Sequence, residues 1–110
     1  TTYLTEAMAI ERIAPELRKK AEEVFPKAKS MLPKAIAAGV RIACGTDAPA
    51  IPHGENAKEL VALVDRGMTP MQAIQAATVV AADLIEAGDE LGRLAPGFLA
   101  DIIAVPGDPA

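Results

Sequence analysis

The chain has 110 residues, 51% hydrophobic and 24% charged, which suits one modest globular domain and excludes a disordered chain. A formal net charge of −4 leaves no basic face for nucleic acid, and no apolar run reaches the roughly 20 residues of a membrane span. The single cysteine, Cys44, excludes an internal disulfide, and with no secretory pattern at the start the cytoplasm is the expected location.

Residues 1–12 carry no sharp pattern, and a loop entering a short helix is expected there. Ala14-Pro15-Glu16 reads as a helix start, with proline and an acid in the first turn. Leu17, Ala21, Val24 and Ala28 recur at helical spacing and predict one apolar face. Pro26 and Pro33 each remove a backbone donor and are expected to kink or restart this helix. Lys34–Ala38 finishes it, and Gly39 is its left-handed cap. Val40–Cys44 is a short strand with β-branched residues. Helix, glycine and strand are the parts of an α/β repeat.

A long loop, residues 45–56, follows that strand. Long ordered loops after strands are often functional. A helix is expected over Asn56–Arg66, with Leu60, Leu63 and Val64 on one side and Gly67 at its end. Thr69-Pro70-Met71-Gln72 has capping-box spacing and opens a helix carrying Ile74, Ala77 and Ala81. Thr78 is read as the cap of a second short helix, Val79–Ala87, ending at Gly88. Beyond it Gly92, Pro96 and Gly97 punctuate short runs, Ala100–Val105 is a strand, and Gly107-Asp108-Pro109 is a turn. The chain opens on Thr1 rather than methionine and stops without a closing element, so a piece of something longer is expected.

Asp47 is the leading chemical candidate. A carboxylate at the C-terminal end of a parallel strand stands where α/β folds place their active sites, able to bind a metal or move a proton. Read locally, the simpler account is an Asx-turn that orders the loop. His53 could be a ligand, an acid or a substrate contact, or simply an exposed loop residue. Asp47 and His53 alone are too few for zinc, which takes at least three protein ligands. Glu55 and Glu59 are four apart, a spacing at which paired acids usually face water. The glycines are too scattered for a phosphate loop, and Cys44 has no base in view to activate it as a nucleophile.

Four segments together resemble the C-terminal part of the metal-dependent amidohydrolase superfamily, near its imidazolonepropionase-like, prolidase and Xaa-Arg or Xaa-Lys carboxypeptidase members. They are residues 37–48 (AAGVRIACGTDA), His53-Gly54 through Glu59-Leu60, Gly67–Ile74 with Ala76-Ala77-Thr78, and Leu91–Leu94 with Pro96–Val105. The resemblance covers nearly all of residues 35–110. It implies an α/β fold: residues 1–90 as the C-terminal part of a (β/α)8 TIM barrel, with strand eight and its flanking helices, and residues 91–110 as a strand of the small β-sandwich domain.

In that family the strand-eight aspartate, matched by Asp47, binds the metal and acts as general base. It accepts a proton from metal-bound hydroxide and returns it to the leaving amine. The implied cofactor is zinc, one ion or two, and the implied substrate a small peptide or amide. His53 resembles a loop histidine near the substrate carboxylate. Asp101 sits in a matching pattern but reads as structural. The family's remaining metal ligands, at barrel strands one, four, five and six, have no counterpart here. The expectation is therefore a chain inactive alone, whose partner is the remainder of the barrel. The alternative is a non-catalytic domain that associates with another chain or with itself through exposed apolar helix faces.

Overall fold

The computed structural model describes Tyr3, residues 14–48 and residues 50–109. The short helix expected in residues 1–12 lies outside the described residues, apart from Tyr3. Four helices follow: α1 Pro15–Ala37, α2 Lys58–Asp65, α3 Pro70–Ala77 and α4 Val79–Leu84.

The two prolines do not divide α1. It runs as one helix of 23 residues with Pro26 and Pro33 inside it. Each proline leaves the carbonyl four residues back without its donor. For Pro33 that carbonyl belongs to Lys29, and Nη1 of Arg66 donates to it at 3.5 Å. For Pro26 it belongs to Glu22, an exposed residue whose carbonyl water can reach. A donor from Arg66, the residue just past α2, thus replaces what Pro33 removes.

Three helices end in the same way. After α1, the N–H of Gly39 donates to Ile36 O at 2.9 Å and that of Val40 to Ala35 O at 3.0 Å. After α2, Gly67 donates to Val64 O at 2.9 Å and Met68 to Leu63 O at 3.2 Å. After α4, Glu86 donates to Asp83 O at 3.1 Å and Ala87 to Ala82 O at 2.9 Å. This is the Schellman pattern, which needs a left-handed residue just past the helix. Gly39 and Gly67 hold that place at no steric cost, whereas Glu86 holds it with φ 60°. The sequence reading put the end of the last helix at Gly88; it ends at Leu84 instead.

The capping box on α3 is present in both directions. Gln72 N–H donates to Thr69 Oγ1 at 3.2 Å, and Thr69 N–H to Gln72 Oε1 at 2.8 Å. Thr78 occupies the start of α4 but does not cap it with its side chain. Its hydroxyl donates backwards to Ile74 O at 2.8 Å. α2 is shorter than expected, starting at Lys58 rather than Asn56, because Asn56 is engaged in the preceding loop.

The core is small. Leu63, Ala73 and Ala76 are buried together, with Leu32, Cys44, Leu60, Val64 and Met68 packed against them. On α3 the buried positions are Ala73 and Ala76, one residue off the Ile74 and Ala77 that periodicity favours. Of the stripe expected on α1, only Ala21 is buried; Leu17 and Val24 are 54% and 44% exposed.

The strands expected at Val40–Cys44 and Ala100–Val105 do not form among the described residues. Residues 40–47 and 99–105 form neither helix nor strand. A β-ladder needs a neighbouring strand to exchange N–H and C=O bonds, and the two segments do not supply one to each other. The first instead docks on a helix: Cys44 N–H donates to Ala76 O at 2.8 Å. Arg41 adds an ion pair to Asp83 of α4 at 2.5 Å. The second stands open, with Ile102 63% and Ile103 87% exposed.

Candidate active site

The segment 40–47 leads directly to Asp47. Its base is fixed by the Cys44–Ala76 bond, and its tip turns sharply. Asp47 has φ 54°, in the left-handed region that residues other than glycine seldom enter. Aspartate is among the few side chains that tolerate it, and such outliers cluster at functional sites. The carbonyl of Asp47 accepts the N–H of Ala50 at 2.8 Å, closing the turn. The residue is exposed, so its carboxylate faces open space at the end of the segment.

Asn56 holds the loop together. Its Nδ2 donates to Thr46 Oγ1 at 2.9 Å, and its Oδ1 accepts the N–H of Gly54 at 3.3 Å. One amide side chain therefore bridges the neighbour of Asp47 and the neighbour of His53. Between them Ile51 is almost wholly buried, at 1% exposure, and anchors the middle of the loop. His53 sits exposed in a turn closed by Glu55 N–H to Pro52 O at 3.2 Å. The two sequence candidates thus occupy opposite ends of one loop tied across its neck.

Sequence reasoning missed the bridging role of Asn56, although an amide after a glycine and ahead of a helix is a loop-ordering signal. It also misplaced Glu59. Instead of facing water, Glu59 is 2% exposed, and Oε2 accepts the N–H of Tyr3 at 2.8 Å. Glu55, its partner in spacing, keeps to the surface. There Lys58 Nζ lies 3.0 Å from its carboxylate, and the Tyr3 hydroxyl donates to it at 3.1 Å.

Cys44 is a free, half-buried thiol. Burial pushes its pKa up, and the nearby Glu59 carboxylate pushes it further. A thiol held protonated is a poor nucleophile. Among the described residues, no three of His, Cys, Asp and Glu gather closely enough to hold a metal ion. Asp47 therefore stands without a complete ligand set among the described residues. No helix of the described residues is long and apolar enough to cross a membrane.

The model of the amidohydrolase family matches residues 1–109. An ochratoxinase of Aspergillus niger is 47% identical over 77 residues, which cover 68% of this chain and 16% of that protein. The ochratoxinase of a second strain of the species matches to the same extent. Among solved structures, a Xaa-Pro dipeptidase with methionine bound in its active site superposes with a TM-score of 0.85 and 44% identity. That match covers 97% of this chain and 27% of the dipeptidase. The chain thus spans 16% of the length of the curated relative and about a quarter of the solved one.

Proposed function

The chain belongs to the amidohydrolase family, and from that premise we propose that it is the strand-eight portion of a metal-dependent hydrolase acting on amide or peptide-like C–N bonds. The family and the dipeptidase likeness imply a TIM-barrel enzyme. In this reading residues 1–90 belong to the barrel and residues 91–110 to the small β domain. In the same reading the segment 40–47 is the last barrel strand, and the strands it would pair with lie outside these residues.

Asp47 is the residue that acts. One observation carries the assignment: an exposed aspartate in a left-handed conformation, three residues beyond a backbone bond that pins Cys44 to α3. In the reaction, water oxygen attacks the carbonyl carbon while Asp47 takes its proton. The C–N bond then breaks as Asp47 delivers that proton to the amine nitrogen, which leaves as neutral amine. Asp47 also provides one metal ligand, and the others come from residues outside this set. Zinc, when bound, supplies Lewis acidity at the carbonyl. His53, across the loop, contacts the substrate carboxylate, the group a prolidase or carboxypeptidase substrate presents. The chain alone is inactive in this reading.

Asp47→Asn in the complete enzyme tests it: turnover disappears while the fold remains. Normal turnover by that variant would remove Asp47 from the proton path.

A second reading is supported by the exposed apolar side chains of α1 and of residues 99–105. There the chain is a non-catalytic partner that associates with another polypeptide or with itself. Native mass and metal content separate the two. A companion chain with bound zinc supports the hydrolase, and a metal-free homo-oligomer supports the second reading.

A further inference from the structure

Tyr3 is distant in sequence from every other residue of the site, yet three side chains hold it, Glu55 from the end of the loop and Lys58 and Glu59 from the first turn of α2. Its N–H donates to the buried Glu59 carboxylate at 2.8 Å, its hydroxyl donates to Glu55 at 3.1 Å, and Lys58 Nζ stands 5.4 Å from its ring centroid. Lys58 and Glu55 are themselves paired at 3.0 Å. The pairing lowers the Glu55 pKa, through Lys58 first and the Tyr3 hydroxyl second. Glu59 is the only charged residue buried among those described, and every buried side-chain polar atom there is satisfied. A buried carboxylate is retained only where its hydrogen bonds are met. Glu59 also lies close enough to raise the Cys44 pKa. It therefore marks the point where the base of segment 40–47, α2 and Tyr3 converge.

We propose that Glu59, with Glu55 and Lys58, forms a latch for Tyr3 that fixes the turn carrying His53, making Glu59 and Tyr3 positioning residues for the substrate side of the loop. Glu55 closes the His53 turn with its backbone and grips Tyr3 with its side chain, so the two ends of the contact move together. The functional part of this inference rests on the amide-hydrolase reading above; the latch itself rests on the contacts alone.

The test uses the complete enzyme, a Xaa-Pro dipeptide as substrate probe, and amide exchange in peptides spanning Tyr3 and residues 50–56. Glu59→Ala is expected to speed exchange in both peptides about tenfold. It is also expected to raise KM about fivefold with kcat within about twofold. Glu59→Gln keeps an acceptor oxygen and is expected to recover most of both effects. If Glu59→Ala fails to fold, Tyr3→Phe removes only the hydroxyl and is expected to raise KM about twofold and loosen residues 50–56. A role in stability alone would lower kcat at unchanged KM by shrinking the active fraction, and that result overturns the proposal, as does unchanged exchange at Tyr3. Asp47→Asn run alongside judges the reaction independently: its turnover bears on the hydrolase reading, and exchange under Glu59→Ala bears on the latch.

Discussion

Gly92 lies where the chain leaves α4 and passes back over the junction of α3 and α4. A Cβ placed on it would stand 2.9 Å from Thr78 O, 3.0 Å from Thr78 C and 3.1 Å from Val79 Cα. All three are backbone atoms fixed by two helices, so none can swing away. The residue also has φ 87°. Gly92→Ala therefore meets two penalties, left-handed strain of about 1–2 kcal/mol and overpacking of about 1–3 kcal/mol. Reduced freedom of the unfolded chain offsets about 0.4–1 kcal/mol. The net expectation is a loss of about 2–4 kcal/mol. Gly97 is the control: its φ is 91°, and nothing lies within 4 Å of its Cβ position. Gly97→Ala carries the strain without the crowding and is expected to lose only about 0.5–1 kcal/mol. Urea unfolding followed by far-ultraviolet circular dichroism measures both, read as a fall in midpoint at constant slope. Equal losses at the two positions would refute the close approach over Thr78.

Asp47→Asn in the complete enzyme is expected to lower kcat by about 10²–10⁴, the usual share of a general acid–base group, with stability changed by no more than about 0.5 kcal/mol. Glu86→Gly relieves a left-handed glutamate at the end of α4 and is expected to stabilise by about 0.5–1 kcal/mol, seen as a higher urea midpoint. The Cys44 thiol pKa is raised by burial and then by Glu59, so the unfolded chain ionises first as pH rises. Folded stability is expected to fall above the ordinary thiol range. Alkylation by iodoacetamide is expected to be slower in the folded protein than in urea, and equal rates would contradict the shift.

Local signals in the sequence were reliable where the cause was local. The Thr69–Gln72 capping box and the Gly39 and Gly67 helix ends depend on a few neighbouring residues, and all three are present. The prolines of α1 misled because their rescue is not local: the Lys29 carbonyl finds its donor in Arg66. Glu86 misled because a left-handed glutamate carries no compositional mark. Glu59 was read as solvent-facing from spacing alone, since nothing near it in sequence announces Tyr3. The strands read at 40–44 and 100–105 do not form among the described residues, because sheet depends on a pairing partner that a single run of β-branched residues does not supply. At the site, Asp47 and His53 were visible as oddities of residue type. Their tethering through Asn56 and Thr46 was not, because a side-chain bridge leaves no period to detect.

The open segment at residues 99–105 bears on how this protein behaves in a tube. Ile102, Ile103 and Val105 are 63%, 87% and 52% exposed on a backbone whose amides pair with no strand. A short β-prone run of this kind is a template for cross-β stacking, in which each added copy satisfies the amides of the last. The run is bounded by Asp101 on one side and Pro106 on the other. A charge and a residue without an amide proton at those positions limit how far such stacking can propagate, as gatekeepers do around hydrophobic strands. Solubility of the isolated chain then turns on two flanking residues remote from any chemistry. Replacing both with alanine would remove what keeps this open segment from seeding fibres.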